Sequence, residues 1–271
     1  MNFSRKKPGN IILFGSGEMS PTGRKIHEEI LEKSGYTVPI KIGILETPTG
    51  FEVNAIHAWP ARIQEFFQKG LQNMKPEITR IRAWRKVGIY STDDPDIVDV
   101  INDQDYLYAG AGSPSYVVTH LADSRALEKM KAAHQAGTIL CLGSATAVAM
   151  GRFSLPVYEI FKAGLDLFWL QGLDLFSMYG LNLAIIPHWN NHEGEDFDTT
   201  RCWMGVERFK KLQVLLPGET VILGIDENTA ANFDFLNKQV EVMGMGNVTV
   251  IKAGKEQIYQ AGEVFGVNVL K

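Results

Sequence analysis

Two cysteines in 271 residues, Cys141 and Cys202, are too few for a disulfide framework or a zinc set, so a reducing cytoplasm is the expected compartment. Net charge is also small. Lys and Arg number 27 against 31 Asp and Glu, a formal net charge of −4, which leaves no electrostatic footprint for nucleic acid or an anionic membrane surface. Long apolar runs are missing. The IILF that follows the basic MNFSRKKPGN stops at Gly15-Ser16-Gly17, too short for a signal-peptide core, and no other segment approaches a membrane span. Repeats, low-complexity tracts and linker-like composition breaks are absent as well. What remains is a small-molecule or short-peptide partner and a chain long enough for a sizeable core, read as one α/β domain over 1–271.

Apolar runs of strand length alternate with amphipathic helical patterns through the first half, the signature of βαβ units and a three-layer, doubly wound, mostly parallel sheet. NIILFGS, PIKIGILET, EITRIRAW, YLYAGAG and TILCLGS are the strands. Ser20-Pro21 predicts a helix start and Gly35 its stop; a second helix is predicted over 54–69, a short one after Asp94-Pro95, one from Ser113-Pro114 to near His120, and one ending before Gly137. Residues 152–180, rich in aromatics, read as an insertion that borders the site or covers the sheet edge. Exposed aromatic surface there would suit a homodimer interface. In the last third, NLAIIPHW is a strand, a helix surrounds RCWMGVERFKKL, and VILGIDENTAANFD is a strand. QVEVMGMG and NVTVI alternate as antiparallel strands do.

In an open α/β sheet, ligands collect beyond the carboxyl ends of the strands. Those positions are polar here: Ser16 and Glu18, Glu46 and Thr47, the stretch Gly110 to Ser115, then Ser144, His188, Asp226 and Glu227. A serine, a histidine and a carboxylate at strand ends are the set needed for nucleophilic acyl transfer. Ser144 lies where the strand AGTILCLG breaks into small residues and continues as a helix-compatible segment. A sharp strand-to-helix turn there would lift Oγ from the sheet and present the Ala145 N–H to an oxyanion. The usual Gly-x-Ser-x-Gly spacing is not kept, because Leu142 and Thr146 stand at the glycine positions. The competing role for Ser144 is helix N-cap.

Each partner also has a second reading. His188 and His192, with Glu193, Asp196 and Asp198 nearby, could hold a metal, but Pro187 and Asn190-Asn191 oppose a helix there and no HExxH motif occurs. A polar structural loop is the third alternative. Glu227 could be a solvated turn charge and Asp226 a turn former. YAGAGSPSY lacks the Lys-Ser/Thr ending of a phosphate loop and GSGEMS is no GxGxxG, so no nucleotide cofactor is expected. Gly110, Ala111 and Gly112 could instead approach closely enough to supply a second oxyanion N–H, or form a plain turn.

Several segments together carry a family resemblance. SATAVAMG resembles, without gaps, the SAGAAVMG-type elbow of cyanophycinase and aspartyl dipeptidase, serine peptidases built on the class I glutamine amidotransferase-like fold. ILGIDENTA resembles the family's GIDEDTA segment, GLNLAIIPHW the place of its histidine, and IILFGSGE and YLYAGAGSP its two glycine-rich strand ends. ETPTGF, LPVYEI, PHWNN and DTTRC are similar to segments of one subgroup. The resemblance implies Ser144 as nucleophile, His188 as general base and acid, Glu227 as orienting carboxylate, and Ala145 with Gly110, Ala111 and Gly112 as oxyanion hole. It implies a cytoplasmic serine hydrolase without a cofactor that cleaves an amide or peptide bond of a small substrate, with a non-catalytic ligand-binding protein as the alternative. Glu18, Glu46, Glu159, Asn190, Asn191 and Arg201 are the expected substrate-contacting residues. Ser113-Pro114 replaces the family's acid or amide followed by Gln, so specificity for cyanophycin or N-terminal aspartate is not implied.

Overall fold

Capping chemistry places the first helix where the sequence predicts it. Ser20 accepts from the Gly23 N–H at 3.1 Å, Pro21 occupies the first turn, and Gly35 ends the helix at φ 72°. The computed structural model describes residues 7–271; residues 1–6 of the basic amino-terminal stretch lie outside the described residues. In chain order the first half contains β1 (Ile11–Phe14), α1 (Pro21–Ser34), β2 (Lys41–Leu45), α2 (Ala58–Gly70), β3 (Glu77–Ile81), α3 (Pro95–Val98), β4 (Tyr106–Ala109), α4 (Pro114–Leu121), α5 (Arg125–Ala136), β5 (Ile139–Gly143) and α6 (Ala145–Ala149). Helix α2 starts at Ala58 and not at 54, because residues 53–57 form turns after the 3₁₀ turn of ETPTGF. The second half contains β6 (Phe153–Ser154), α7 (Val157–Phe161), β7 (Leu170–Gln171), β8 (Leu183–Ile186), α8 (Gly205–Val214), β9 (Val221–Ile225), β10 (Thr229–Asp234), β11 (Gln239–Gly244), β12 (Asn247–Lys252), β13 (Lys255–Gln260) and β14 (Val264–Gly266).

The strands form two sheets. One has the order β14-β11-β10-β1-β5-β4-β2-β3, parallel from β1 to β3 and antiparallel from β10 outward. The other has the order β13-β12-β9-β8-β6-β7, with β9, β8 and β6 parallel. The parallel α/β sheet is as the sequence predicts, but the second sheet is an addition. VILGIDENTAANFD, predicted as one strand, is two: β9 joins the second sheet, and the chain crosses at Asp226–Asn228 so that β10 pairs with β1. Residues 152–180 supply β6, β7 and α7, so this segment is built into the edge of the second sheet.

Strand alternation sorts the side chains into layers. Ile12 and Phe14 of β1 pack with Ile42, Ile44, Tyr106 and Tyr108 against α1 and α2. Ile11 and Leu13 face the other way, into one continuous core with α4, α5 and the inner face of the second sheet through Leu183, Ile185, Leu223 and Val250. The outer face of that second sheet, including Ala184, Ile186 and Ile222, is covered by Val157 and Ile160 of α7 and by Phe209 and Leu212 of α8. Among the described residues, no helix is long and apolar enough to cross a membrane.

Two buried histidines are part of these layers. His27 Nε2 donates to the Glu18 carbonyl at 2.8 Å, because a carbonyl can only accept, and Nδ1 then accepts from the Tyr106 hydroxyl at 2.7 Å. His134 is equally buried beside Tyr179. Burial lowers the pKa of each from 6.5 to about 4. The unfolded chain therefore binds protons at these positions between pH 6.5 and about 4 while the folded chain does not. Their stability contribution is complete above the unfolded value and is lost as pH falls toward the folded one. Across the middle of that window the two should contribute a slope of roughly 3 kcal/mol per pH unit. Urea denaturation at several pH values, with His27→Gln expected to remove about half of that slope, checks this.

Candidate active site

The site lies where the carboxyl ends of the two sheets meet. Gly15, directly after β1, lies so close to the Asp226 carbonyl that a Cβ would collide with it. Its N–H donates to the Thr229 carbonyl at 2.9 Å, and its own carbonyl accepts from the His188 N–H at 3.1 Å. Ser144 leaves β5 in the first sheet. His188 and Glu227 each lie two residues beyond adjacent parallel strands of the second, β8 and β9. Equal offsets from paired strand ends bring the imidazole and the carboxylate side by side.

Ser144 occupies φ 47°, ψ −115°, a region costly for a side-chain-bearing residue, and makes no side-chain cap bond to α6. The Ser144 Oγ lies 3.0 Å from His188 Nε2, and His188 Nδ1 lies 3.0 Å from Glu227 Oε1. An ionised carboxylate only accepts, so Nδ1 carries the proton and Nε2 is left free to accept from the Ser144 hydroxyl. The hydrogen bond from His188 holds the Glu227 carboxyl below the ordinary carboxylate range, with a further contribution from Asn191. Both ring nitrogens of His188 are thus engaged with Ser144 and Glu227. His192 and Glu193 are exposed, and among the described residues no three His, Cys, Asp or Glu side chains gather as a metal site.

Asn190 and Asn191 both bond to Glu227. Asn190 Oδ1 accepts from the Glu227 N–H at 2.8 Å, and the fully buried Asn191 donates from Nδ2 to Glu227 Oε1 at 2.9 Å. His188 itself has φ 51°, and its carbonyl accepts from the N–H groups of Asn191 and Cys202. Arg201, Cys202 and Trp203 follow one another at φ 58°, 58° and 63°, a left-handed turn that delays α8 to Gly205 and lays the Trp203 ring 4.8 Å from the His188 ring. This Trp203 cover is not apparent from the sequence, since none of the three residue types favours the left-handed region. Arg201 donates to the Trp189 carbonyl and stacks 3.9 Å above the Trp189 ring, in a cleft with Glu256 that does not include Ser144. Glu159 is half-buried on α7, outside the cavities near the triad.

Thr146 does what the usual elbow glycine cannot. It is fully buried, and its Oγ1 donates to the Gly110 carbonyl at 2.7 Å, tying the Gly110-Ala111-Gly112 loop to the helix that starts at Ala145. Cβ atoms on Gly110 and Gly112 would collide with the Tyr108 hydroxyl and the Pro48 carbonyl respectively, so close packing requires glycine at both positions. The Ala145 N–H belongs to the first turn of α6, where the helix supplies no acceptor. Glu18 and Glu46 line a cavity of about 250 Å³ with Gly110 and Ala111 on its rim. A larger groove, about 1060 Å³, opens at the amino ends of the strands around Asn10, Thr138 and Asn232, away from the triad.

Thr146→Val keeps the shape but leaves the Gly110 carbonyl without its donor. It should lower stability by about 1–3 kcal/mol and slow covalent modification of Ser144, whereas Thr146→Ser should retain both. Denaturant midpoints and labelling rates of the two variants test the tie.

No family model matches the chain, and no curated protein matches it. Solved structures do. A peptidase from an acI-B1 actinobacterium superposes with a TM-score of 0.75 at 21% identity, covering 98% of this chain and 100% of that one. A candidate peptidase E protein from Listeria monocytogenes EGD-e superposes with a TM-score of 0.57 at 14% identity, covering 88% of this chain and 100% of that one. At these identities the likeness establishes a shared α/β fold along nearly the whole chain.

Proposed function

We propose that the protein is a serine hydrolase that cleaves an amide or peptide bond of a small substrate through an acyl-enzyme on Ser144. The observation that carries this reading is the unbroken chain Ser144 Oγ, His188 Nε2, His188 Nδ1, Glu227 Oε1, with both links at 3.0 Å and Ser144 held in an elbow conformation. The peptidase among its structural neighbours and the segments similar to cyanophycinase and aspartyl dipeptidase support it.

In this mechanism His188 Nε2 takes the Ser144 proton as Oγ bonds to the scissile carbonyl carbon. The carbonyl oxygen becomes an oxyanion, for which the Ala145 N–H and the Gly110-Ala111-Gly112 backbone are the donors. Protonated His188 then gives its proton to the leaving amine as the C–N bond breaks. Water, deprotonated by the same nitrogen, attacks the acyl-enzyme carbonyl, and His188 returns that proton to Ser144 Oγ as the ester C–O bond breaks and the acid leaves. Glu227 acts through His188: it keeps Nδ1 protonated and stabilises the imidazolium, and Asn190 and Asn191 hold it for that purpose.

A fluorophosphonate probe should modify Ser144 in the wild-type protein, and peptide mapping by mass spectrometry should place the adduct there. Ser144→Ala and His188→Ala should each lower kcat/KM by on the order of 10⁴ or more; Asn191→Ala should cost less. A wild-type protein that resists the probe while binding a ligand tightly would instead be a binding protein that keeps the cleft.

A further inference from the structure

We infer that the cavity beside the nucleophile receives the acyl arm of the substrate, and that this arm ends in a primary ammonium group held by Glu18. The inference rests on Ser144 being the nucleophile. The cavity, about 250 Å³, has apolar walls from Ile44, Leu45, Pro48, Trp59 and Ile63; Ser144 does not line it, but Gly110 and Ala111 of the loop tied to Thr146 do. Glu18 and Glu46 are both among its lining residues, and they differ in what already holds their carboxylates. Glu46 accepts from Arg80 Nε at 2.6 Å and from Trp84 Nε1 at 2.8 Å, so its charge is balanced within the protein.

Glu18 has no such balance. It is 8% exposed, its one side-chain partner is the neutral Tyr108 hydroxyl at 3.3 Å from Oε1, and it forms no salt bridge among the described residues. His27 fixes its backbone from below. Burial raises the Glu18 pKa and outweighs the opposing effects of its own backbone N–H, the charge on His188 and the Tyr108 hydroxyl, and among the described residues no cation is bonded to the carboxyl. An ammonium entering the cavity supplies that cation, and the apolar walls suit the methylenes that carry it.

The reach is short. Glu18 Oε1 lies 2.5 Å from the position a Cβ on Gly143 would occupy. Standard covalent lengths then put it within about 10 Å of Ser144 Oγ. After allowance for the acyl bond and one hydrogen bond, roughly three methylenes or fewer separate the reacting carbonyl from the ammonium. Gly143 is what permits this approach, since a side chain there would displace the carboxyl.

The test compares 4-nitroanilides of glycine, β-alanine and 4-aminobutanoate with that of pentanoate, the uncharged isostere of the last. The wild-type protein is expected to cleave at least one aminoacyl anilide about tenfold or more faster than the neutral one, and Glu18→Gln to bring that ratio toward one. Equal rates in the wild type, or a ratio unchanged by Glu18→Gln, would overturn the proposal; in the second case Glu18 would serve the charge on His188 instead. Should none of the anilides turn over, protection of Ser144 from the fluorophosphonate is read with 4-aminobutanamide and pentanamide, and equal protection by the two is the overturning result. Labelling of Ser144 in the wild type separates the two levels: labelling without discrimination removes only the ammonium pocket, whereas absence of labelling removes the triad.

Discussion

Everything at the site depends on one close backbone approach. At Gly15 the end of β1 lies against the turn that joins β9 to β10, too near for any side chain. Its carbonyl accepts the His188 N–H while its N–H donates to Thr229 of β10 within the first sheet, so one residue ties the two sheets together at their carboxyl ends. Ser144 belongs to one sheet and its two partners belong to the other. Without this seam the three side chains would end separate layers; with it, they stand in one hydrogen-bonded line.

The line is held by conformations that cost energy and by polar groups that offset part of the cost. Ser144, His188 and the run Arg201–Trp203 all lie at positive φ, where residues with side chains are disfavoured by about 1–2 kcal/mol each. Backbone bonds from Asn191 and Cys202 to the His188 carbonyl, the two asparagine contacts to Glu227 and the Thr146 tie to Gly110 over-determine these positions. Strain concentrated around Ser144 and His188, with its support buried around it, is the arrangement expected of a pre-organised site.

Much of this is legible in the chain. Ser20-Pro21 and Gly35 bracket α1 because capping chemistry is local, and the apolar runs give the parallel strands because burial on both faces leaves no alternation. Ser144, His188 and Glu227 stand out because a serine, a histidine and a carboxylate each directly follow an apolar strand. Other features are not legible. VILGIDENTAANFD carries no period that marks a change of sheet, and Asp226–Asn228 becomes a crossing only when β10 finds β1. Thr146 reads as a defect in an elbow until Gly110 lies across from it, 36 residues away in the chain. Asn190 and Asn191 are expected from the sequence as substrate contacts, and what the chain does not reveal is that their side chains bond Glu227.

What the amino-acid sequence alone determined is therefore local: which segments are strands or helices, and which residues end them. These follow from periodicity, capping and turn chemistry within a few residues. What only the tertiary structure decided is pairwise: that Nε2 of His188 faces Ser144, that Thr146 stands at a glycine position by bonding Gly110, and that Glu18 is buried against Gly143. Those facts depend on distances between residues far apart in the chain, and such distances exist only once two sheets have packed and met at Gly15.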